Sequence, residues 1–261
     1  MKNIDSILHV RGESLFVDDV PAPEGLLHAA VFSSPMASGK ITRLNVAPAM
    51  EIEGIHDVFT AGDIPADNQI GNTIQDQPLL ADRKVRHIGQ PIALVVGEDA
   101  EVVRMAASAI EIEFEEWPGV FDAREAYAQG QLIIPPGIVS MGEIEYAWQK
   151  CDVIVEGQVE SGGQEHLYLE THGAFAYPTE MGGVKVVTAT QAPRAVQKAV
   201  ANVLGLASHH VEVDVLRLGG GFGGKEVQAT TWAALVHIPR ESGHPFRRKM
   251  GTDSKRKWAP I

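Results

Sequence analysis

Five glycines fall within six residues at Gly219-Gly220-Gly221-Phe222-Gly223-Gly224, and the run leads directly into Lys225 and Glu226. Glycine tolerates positive φ and carries no Cβ, so such a run lets main chain approach a ligand closely. Successive N–H groups in a loop of this kind can form an anion-binding concavity. A purely structural turn stands beside that reading. Two phosphate-binding patterns also match. Gly219, Gly221 and Gly224 satisfy G-x-G-x-x-G, but no convincing ribose-binding acid follows in a βαβ context. Residues 219–225 satisfy G-x-x-x-x-G-K, whose next residue should be Ser or Thr to hold Mg²⁺. Here it is Glu226, a carboxylate that would repel phosphate. A P-loop-like nucleotide-binding protein is therefore disfavoured but stays open. Glu226 itself could hydrogen-bond a polar substrate or, held neutral, donate a proton. The alternative is a surface glutamate paired with Lys225 or with solvent.

Gln191 is the second residue type with a place in such chemistry. It ends a β-rich run and precedes Pro193, where a helix can begin. Free N–H groups at a helix start favour anions, so Gln191 could reach a ligand there or be an ordinary loop residue. The stretch Gly163-Gln164-Glu165-His166-Leu167-Tyr168-Leu169-Glu170 mixes titratable and apolar side chains. Neither His166 and His172 nor His209 and His210 have reliable metal-ligand spacing. They read as core or cap histidines.

The elements that must position these residues follow from periodicity. Residues 26–32, 55–60 and 91–96 are short apolar runs suited to strands, the last an interior one. Asp99 is placed to cap a helix whose apolar positions are Val102, Val103, Ala106, Ala109 and Ile110. Residues 110–116 alternate as a strand with one wet face. Pro135-Pro136-Gly137 breaks regular structure, so a linker is expected over 122–143. Beyond it, 151–159 alternates Val153, Val155 and Val159 with acids and reads as a strand. A β run over 184–190 follows, then a helix from Pro193 with the apolar stripe Val196, Ala199, Val200, Val203 and Leu204, ended by Gly205. A last strand over 211–215 runs into the glycines, and 227–236 can be helical. The fold class expected is α+β.

Composition narrows the function. The formal charge is −12, which argues against a broad nucleic-acid footprint. Cys151 is the single cysteine. It rules out an internal disulfide and fits a reducing compartment. An iron–sulfur cluster needs about four cysteine ligands, so this chain cannot hold one alone. No apolar run of spanning length and no leader-like N-terminus occurs, so a cytoplasmic protein without membrane association is expected. Charge is uneven along the chain. Residues 1–236 hold 15 basic against 32 acidic residues, while 237–261 hold seven against two.

Three blocks together, residues 163–170, Ala189-Thr190-Gln191 and 219–226, resemble the molybdenum hydroxylases, the family of xanthine dehydrogenases and aldehyde oxidases. They stand in the family's order, with 31 residues from Gln191 to Phe222. His9-Val10-Arg11-Gly12, Phe16-Val17-Asp18-Asp19 and His87-Ile88-Gly89-Gln90-Pro91 resemble its α/β-hammerhead region. The likeness spans about residues 4–236. It implies an α/β-hammerhead domain over 1–121, the linker 122–143, and the beginning of a molybdopterin-binding domain over 144–236. By this resemblance Gln191, Gly221 and Phe222 line a molybdenum–molybdopterin cofactor, with Gln191 and Phe222 in the metal's surroundings. Glu226 matches the substrate-orienting carboxylate of purine hydroxylases, a position usually apolar in aldehyde oxidases. The implied activity is xanthine dehydrogenase-type hydroxylation of purines with water as oxygen source, a step in purine catabolism. Electrons would leave through 2Fe-2S clusters to FAD and NAD, carried on partner chains.

The resemblance fades after about Val236. Ser242-Gly243-His244-Pro245 only faintly echoes the family's next turn, and a divergent basic tail occupies 237–261. No catalytic residue is expected in this chain; the general base belongs to a further C-terminal part. A truncated, frameshifted or split gene product is the expectation, inactive alone. Rival readings are an aldehyde oxidase-type subunit, a nucleotide-binding protein, or an inactive remnant.

Overall fold

The computed structural model describes residues 4–21, 25–71, 74–236 and 259–260. The basic tail read from the sequence thus lies outside the described residues, except for 259–260. The elements in chain order are α1 (Ile4–Arg11), β1 (His28–Ser33), β2 (Gly39–Asn45), α2 (Ala47–Met50), β3 (Ile55–Thr60), β4 (Lys84–Val85), β5 (Pro91–Gly97), α3 (Ala100–Ser108) and β6 (Glu111–Glu116). There follow α4 (Ala123–Ala128), α5 (Ile144–Trp148), β7 (Ala174–Pro178), β8 (Val184–Thr188), α6 (Pro193–Leu204), β9 (Val211–Asp214), α7 (Val227–Leu235) and β10 (Ala259–Pro260). Helix and strand are mixed, as the α+β expectation requires. Among the described residues, no helix is long and apolar enough to cross a membrane.

Contacts divide the chain into a large unit, residues 1–117 with 166–261, and a small one, residues 118–165. In the large unit, β5 lies at the centre of an antiparallel sheet of order β1-β5-β3. Its side chains alternate between two cores, which is why the whole run 92–96 is apolar and buried. Ala93 and Val95 pack with Val103, Ala106 and Ile110 of the α3 region. Leu94 and Val96 join the larger core of Val184, Val186, Val196, Val200 and Leu235. Asp99 starts α3 as expected, accepting from the N–H groups of Glu101 at 2.8 Å and Val102 at 3.0 Å. Those two bonds, the one from Val102 foremost, hold its carboxyl below the usual aspartate range.

The second sheet has the order β10-β7-β8-β9. β7 pairs antiparallel with β8, and β8 runs parallel to β9. A parallel pair needs a crossover, and α6 supplies it. Pro193 opens α6, and Gly205 ends it in the left-handed region at φ 67°. This β8–α6–β9 unit presents Gln191 at one strand exit and residues 215–226 at the other. A small third sheet, β4-β2-β6, completes the large unit.

The small unit corrects one expectation. Residues 151–159 do not form a strand. Val153, Val155 and Val159 are 76%, 87% and 96% exposed. Alternation supplies a face, but a strand also needs neighbouring backbone to take its hydrogen bonds. No described segment does so here. The unit's regular structure is α4, capped by Asp122 through the Arg124 and Glu125 amides, and α5.

Candidate functional site

The glycine run is held by two side chains from distant parts of the sequence. Gln191 lies three residues past the end of β8 and reaches across with its amide oxygen. Oε1 accepts from the N–H of Gly223 at 3.0 Å and of Lys225 at 3.3 Å. The Gln191 N–H donates to the Lys225 carbonyl at 2.8 Å, and the Thr190 hydroxyl donates to the same oxygen at 3.1 Å. Gly221 lies so close beneath this amide that a Cβ there would stand 2.5 Å from Oε1. Only glycine fits without displacing the glutamine. The structure therefore sets Gln191 against Gly221, with Phe222 next in the chain.

Phe222 has φ 49°, a backbone region that residues with a Cβ rarely adopt. The residue is 76% exposed. A bulky exposed residue held in this region is local strain maintained by its surroundings. The N–H groups of Gly220, Gly221 and Phe222 donate to no acceptor among the described residues. All recorded hydrogen bonds of the Gln191 side chain use its oxygen, which leaves the Nε2 donor for something else. Three successive free amides beside an amide NH₂ make a donor-rich concavity suited to an electron-rich, anionic group.

Glu226 sits at the loop's end, directly before α7, with its side chain exposed. It does not cap the helix. Only its carbonyl is engaged, accepting from the Thr230 N–H and hydroxyl. A cleft of about 410 Å³ opens along the following turn, lined by Gln77, His87, Gln90, His172, Gln228 and Trp232 among others. The His87–Pro91 block singled out in the sequence forms one of its walls.

Lys225 behaves otherwise than its position after a glycine run suggests. It is fully buried. Its ammonium lies 2.7 Å from Glu170 Oε2 and 4.9 Å from the centre of the Tyr168 ring. The same Glu170 oxygen accepts from the Gly219 N–H at 2.7 Å. This overturns the nucleotide-loop alternative, because the lysine that would reach a phosphate is closed under the loop and already neutralised. It also excludes pairing of Lys225 with Glu226 as the explanation of the latter.

Glu170, Tyr168 and His172 are the residues that sequence reasoning left out of the site. The Tyr168 hydroxyl is 2.7 Å from His172 Nε2, which is 3.1 Å from Gln228 Oε1. Burial, aided by the nearby Lys225 charge, lowers the His172 pKa below its ordinary 6.5. The ring is thus neutral at pH 7. The available signal was the mixture of titratable and apolar residues in 163–170. Among the described residues, no group of three His, Cys, Asp or Glu could hold a metal ion. What the loop offers a cofactor is main-chain and amide donors.

Residues 11–118 match the family described as aldehyde oxidase and xanthine dehydrogenase, a/b hammerhead domain. Residues 130–247 match the molybdopterin cofactor-binding domain. Xanthine dehydrogenase 1 of Arabidopsis thaliana is 35% identical over 241 residues, which cover 91% of this chain and 18% of that protein. Aldehyde oxidase 2 of Macaca fascicularis is 34% identical over 248 residues, 94% of this chain and again 18% of the relative. The chain therefore spans under a fifth of the length of these relatives. Among solved structures, quinoline 2-oxidoreductase from Pseudomonas putida 86 aligns with a TM-score of 0.77 at 26% identity, covering 100% of this chain and 34% of that one. The aldehyde oxidoreductase from Desulfovibrio gigas aligns with a TM-score of 0.78 at 26% identity, covering 89% and 28%. Two domain matches in the family's order, with relatives of 34–35% identity along nearly the whole chain, place this chain in the aldehyde oxidase and xanthine dehydrogenase family of molybdenum hydroxylases.

Proposed function

We propose that this chain supplies one wall of the molybdenum site of a xanthine dehydrogenase-type purine hydroxylase, and that its domains divide near 1–121, 122–143 and 144–236. The observation that carries the purine assignment is Glu226, an exposed carboxylate at the end of the cofactor loop. A carboxylate accepts hydrogen bonds from ring N–H groups, whereas a simple aldehyde has no such donor to offer. The bound molybdenum cofactor would supply the oxygen-transfer and electron-accepting chemistry. The chain's residues do the rest. Gln191 Nε2 would donate a hydrogen bond to the cofactor, the amides of 220–222 would cradle it, and the Phe222 ring would help exclude water. Glu226 orients the purine, which approaches along the cleft beside α7. Iron–sulfur and FAD components, with NAD beyond them, complete electron transfer on other chains in a cytoplasmic assembly.

Two measurements test this reading. Because the chain spans 18% of its relatives' length, the purified chain is expected to hold far less than stoichiometric molybdenum and to form no urate from xanthine. Stoichiometric metal with urate formation would show that it is self-sufficient. In the assembled enzyme, Glu226→Val is expected to lower purine turnover about 30-fold or more, the loss of one charge-assisted hydrogen bond worth roughly 2 kcal/mol. Aldehyde turnover should change by less than about threefold, under 1 kcal/mol on the same scale. Equal losses on both substrates would remove Glu226 from substrate recognition and favour the aldehyde oxidase reading.

A further inference from the structure

We infer that Glu170 and Lys225 are a positioning pair for residues 219–225, holding the loop in the shape that turns its free amides and the Gln191 Nε2 donor toward one ligand. The ligand's identity rests on the cofactor reading above; the pair itself rests on contacts within this chain. One carboxylate oxygen, Glu170 Oε2, takes both the N–H of Gly219 at the loop's start and the ammonium of Lys225 at its end. Gln191 Oε1 then binds the Gly223 and Lys225 amides from the other side. Both ends are thereby pinned, and the residues between pass through positive φ at Gly220 and Phe222 with their amides unengaged.

Stability alone does not account for this arrangement. Lys225 is fully buried and Glu170 nearly so, at 0% and 9% side-chain exposure. The second carboxylate oxygen, Oε1, is buried with no partner. Replacing a buried ion pair by apolar side chains of similar volume is often neutral or stabilising. An apolar pair would fill the space but leave the Gly219 N–H without an acceptor. What the charged pair adds is fixed loop geometry. Neither residue touches a reacting atom, so both act through the loop.

The test separates loop geometry from bulk stability. Hydrogen exchange is followed by mass spectrometry in the wild-type chain, Glu170→Leu, Lys225→Met and the double variant. Each single variant leaves a buried charge unpaired and is expected to lower Tm sharply. The double variant should regain at least half of that loss. Amides in 217–226 should nevertheless exchange at least tenfold faster than wild type in the double variant, while 92–108 stays within twofold. Should the single variants fail to fold, the double variant carries the test alone. Recovery of both Tm and loop protection in the double variant, or loop exchange unchanged from wild type, would overturn the inference. A second arm adds molybdopterin released from a donor enzyme in large excess over the chain, which offsets the weak binding expected of the isolated chain; protection of 217–226 in the wild type is expected there. A tenfold contrast without that protection would uphold the pair and remove the cofactor reading instead.

Discussion

Residues 219–226 and residues 152–159 both lack regular structure, yet the first is pinned at both ends by side chains from elsewhere in the chain, and among the described residues no hydrogen bond engages the second. The glycine loop donates hydrogen bonds to Glu170 and Gln191 and accepts one from Thr190, and it closes over a buried lysine. The valine stretch has no regular structure, and among the described residues no backbone bond engages 152–159. By sequence pattern alone the ranking runs the other way. Alternating valines are a stronger structural signal than a run of glycines. Pattern reports what a segment could bury, whereas order depends on a partner being present. The glycine loop has its partners within the chain, at 170 and 191.

The sharpest way to break this contrast is Gly221→Ala. The new methyl would lie 2.5 Å from Gln191 Oε1. Gln191 must swing away, giving up its bonds to the Gly223 and Lys225 amides. At about 1 kcal/mol per bond, the expected loss is roughly 2 kcal/mol, or a Tm lower by about 4–8 °C for a chain of this size. Thermal unfolding measures it. A fall below about 1 °C would mean that the glutamine does not hold the loop in solution.

A smaller effect is expected from pH, through His172. Burial lowers its folded pKa below 6.5, the value expected in the unfolded chain. The unfolded state then binds more protons in the window between the two values, so stability rises with pH there. His172 therefore contributes fully above 6.5, and its contribution is lost as pH falls through the folded pKa. Burial and the Lys225 charge lower it, Gln228 and Glu170 oppose that, and the Tyr168 hydroxyl is hydrogen-bonded to the ring. Comparing Tm at pH 5.5 and 7.5 in wild type and His172→Gln checks it. The variant should show the shallower acid loss; an identical slope would place the acid sensitivity elsewhere.

How much of this was legible beforehand divides along the same line. The α6 boundaries, the Asp99 cap and the interior strand β5 followed from local chemistry: a proline that needs no N–H, a glycine in the left-handed region, a carboxylate accepting two amides. Gln191, Gly221, Phe222 and Glu226 were singled out through the family resemblance, since local pattern alone left an ordinary loop glutamine and a surface glutamate as open alternatives; the structure sets Gly221 directly against the Gln191 amide. The Glu170–Lys225 pair was not legible. Its members are 55 residues apart, and a lysine after a glycine run reads as a solvent or phosphate contact. Nothing local shows that the loop folds back over it. The reading of 151–159 as a strand failed for the converse reason, since the local pattern was strong and no partner strand stood beside it.

The smallest expected effect tests that last point. Val155 is 87% exposed, so Val155→Asp removes little buried apolar surface and strands no polar group. Exposed substitutions away from special features usually stay within about 0.5 kcal/mol. Thermal unfolding of the purified chain should scarcely register the change. In an assembly where further polypeptide pairs with this stretch, the same aspartate would face a packed side chain or an adjoining sheet, and burying its charge would weaken association many-fold. A Tm drop in the isolated chain matching that of Gly221→Ala would show instead that 151–159 is already packed in solution, and the contrast between the two segments would dissolve.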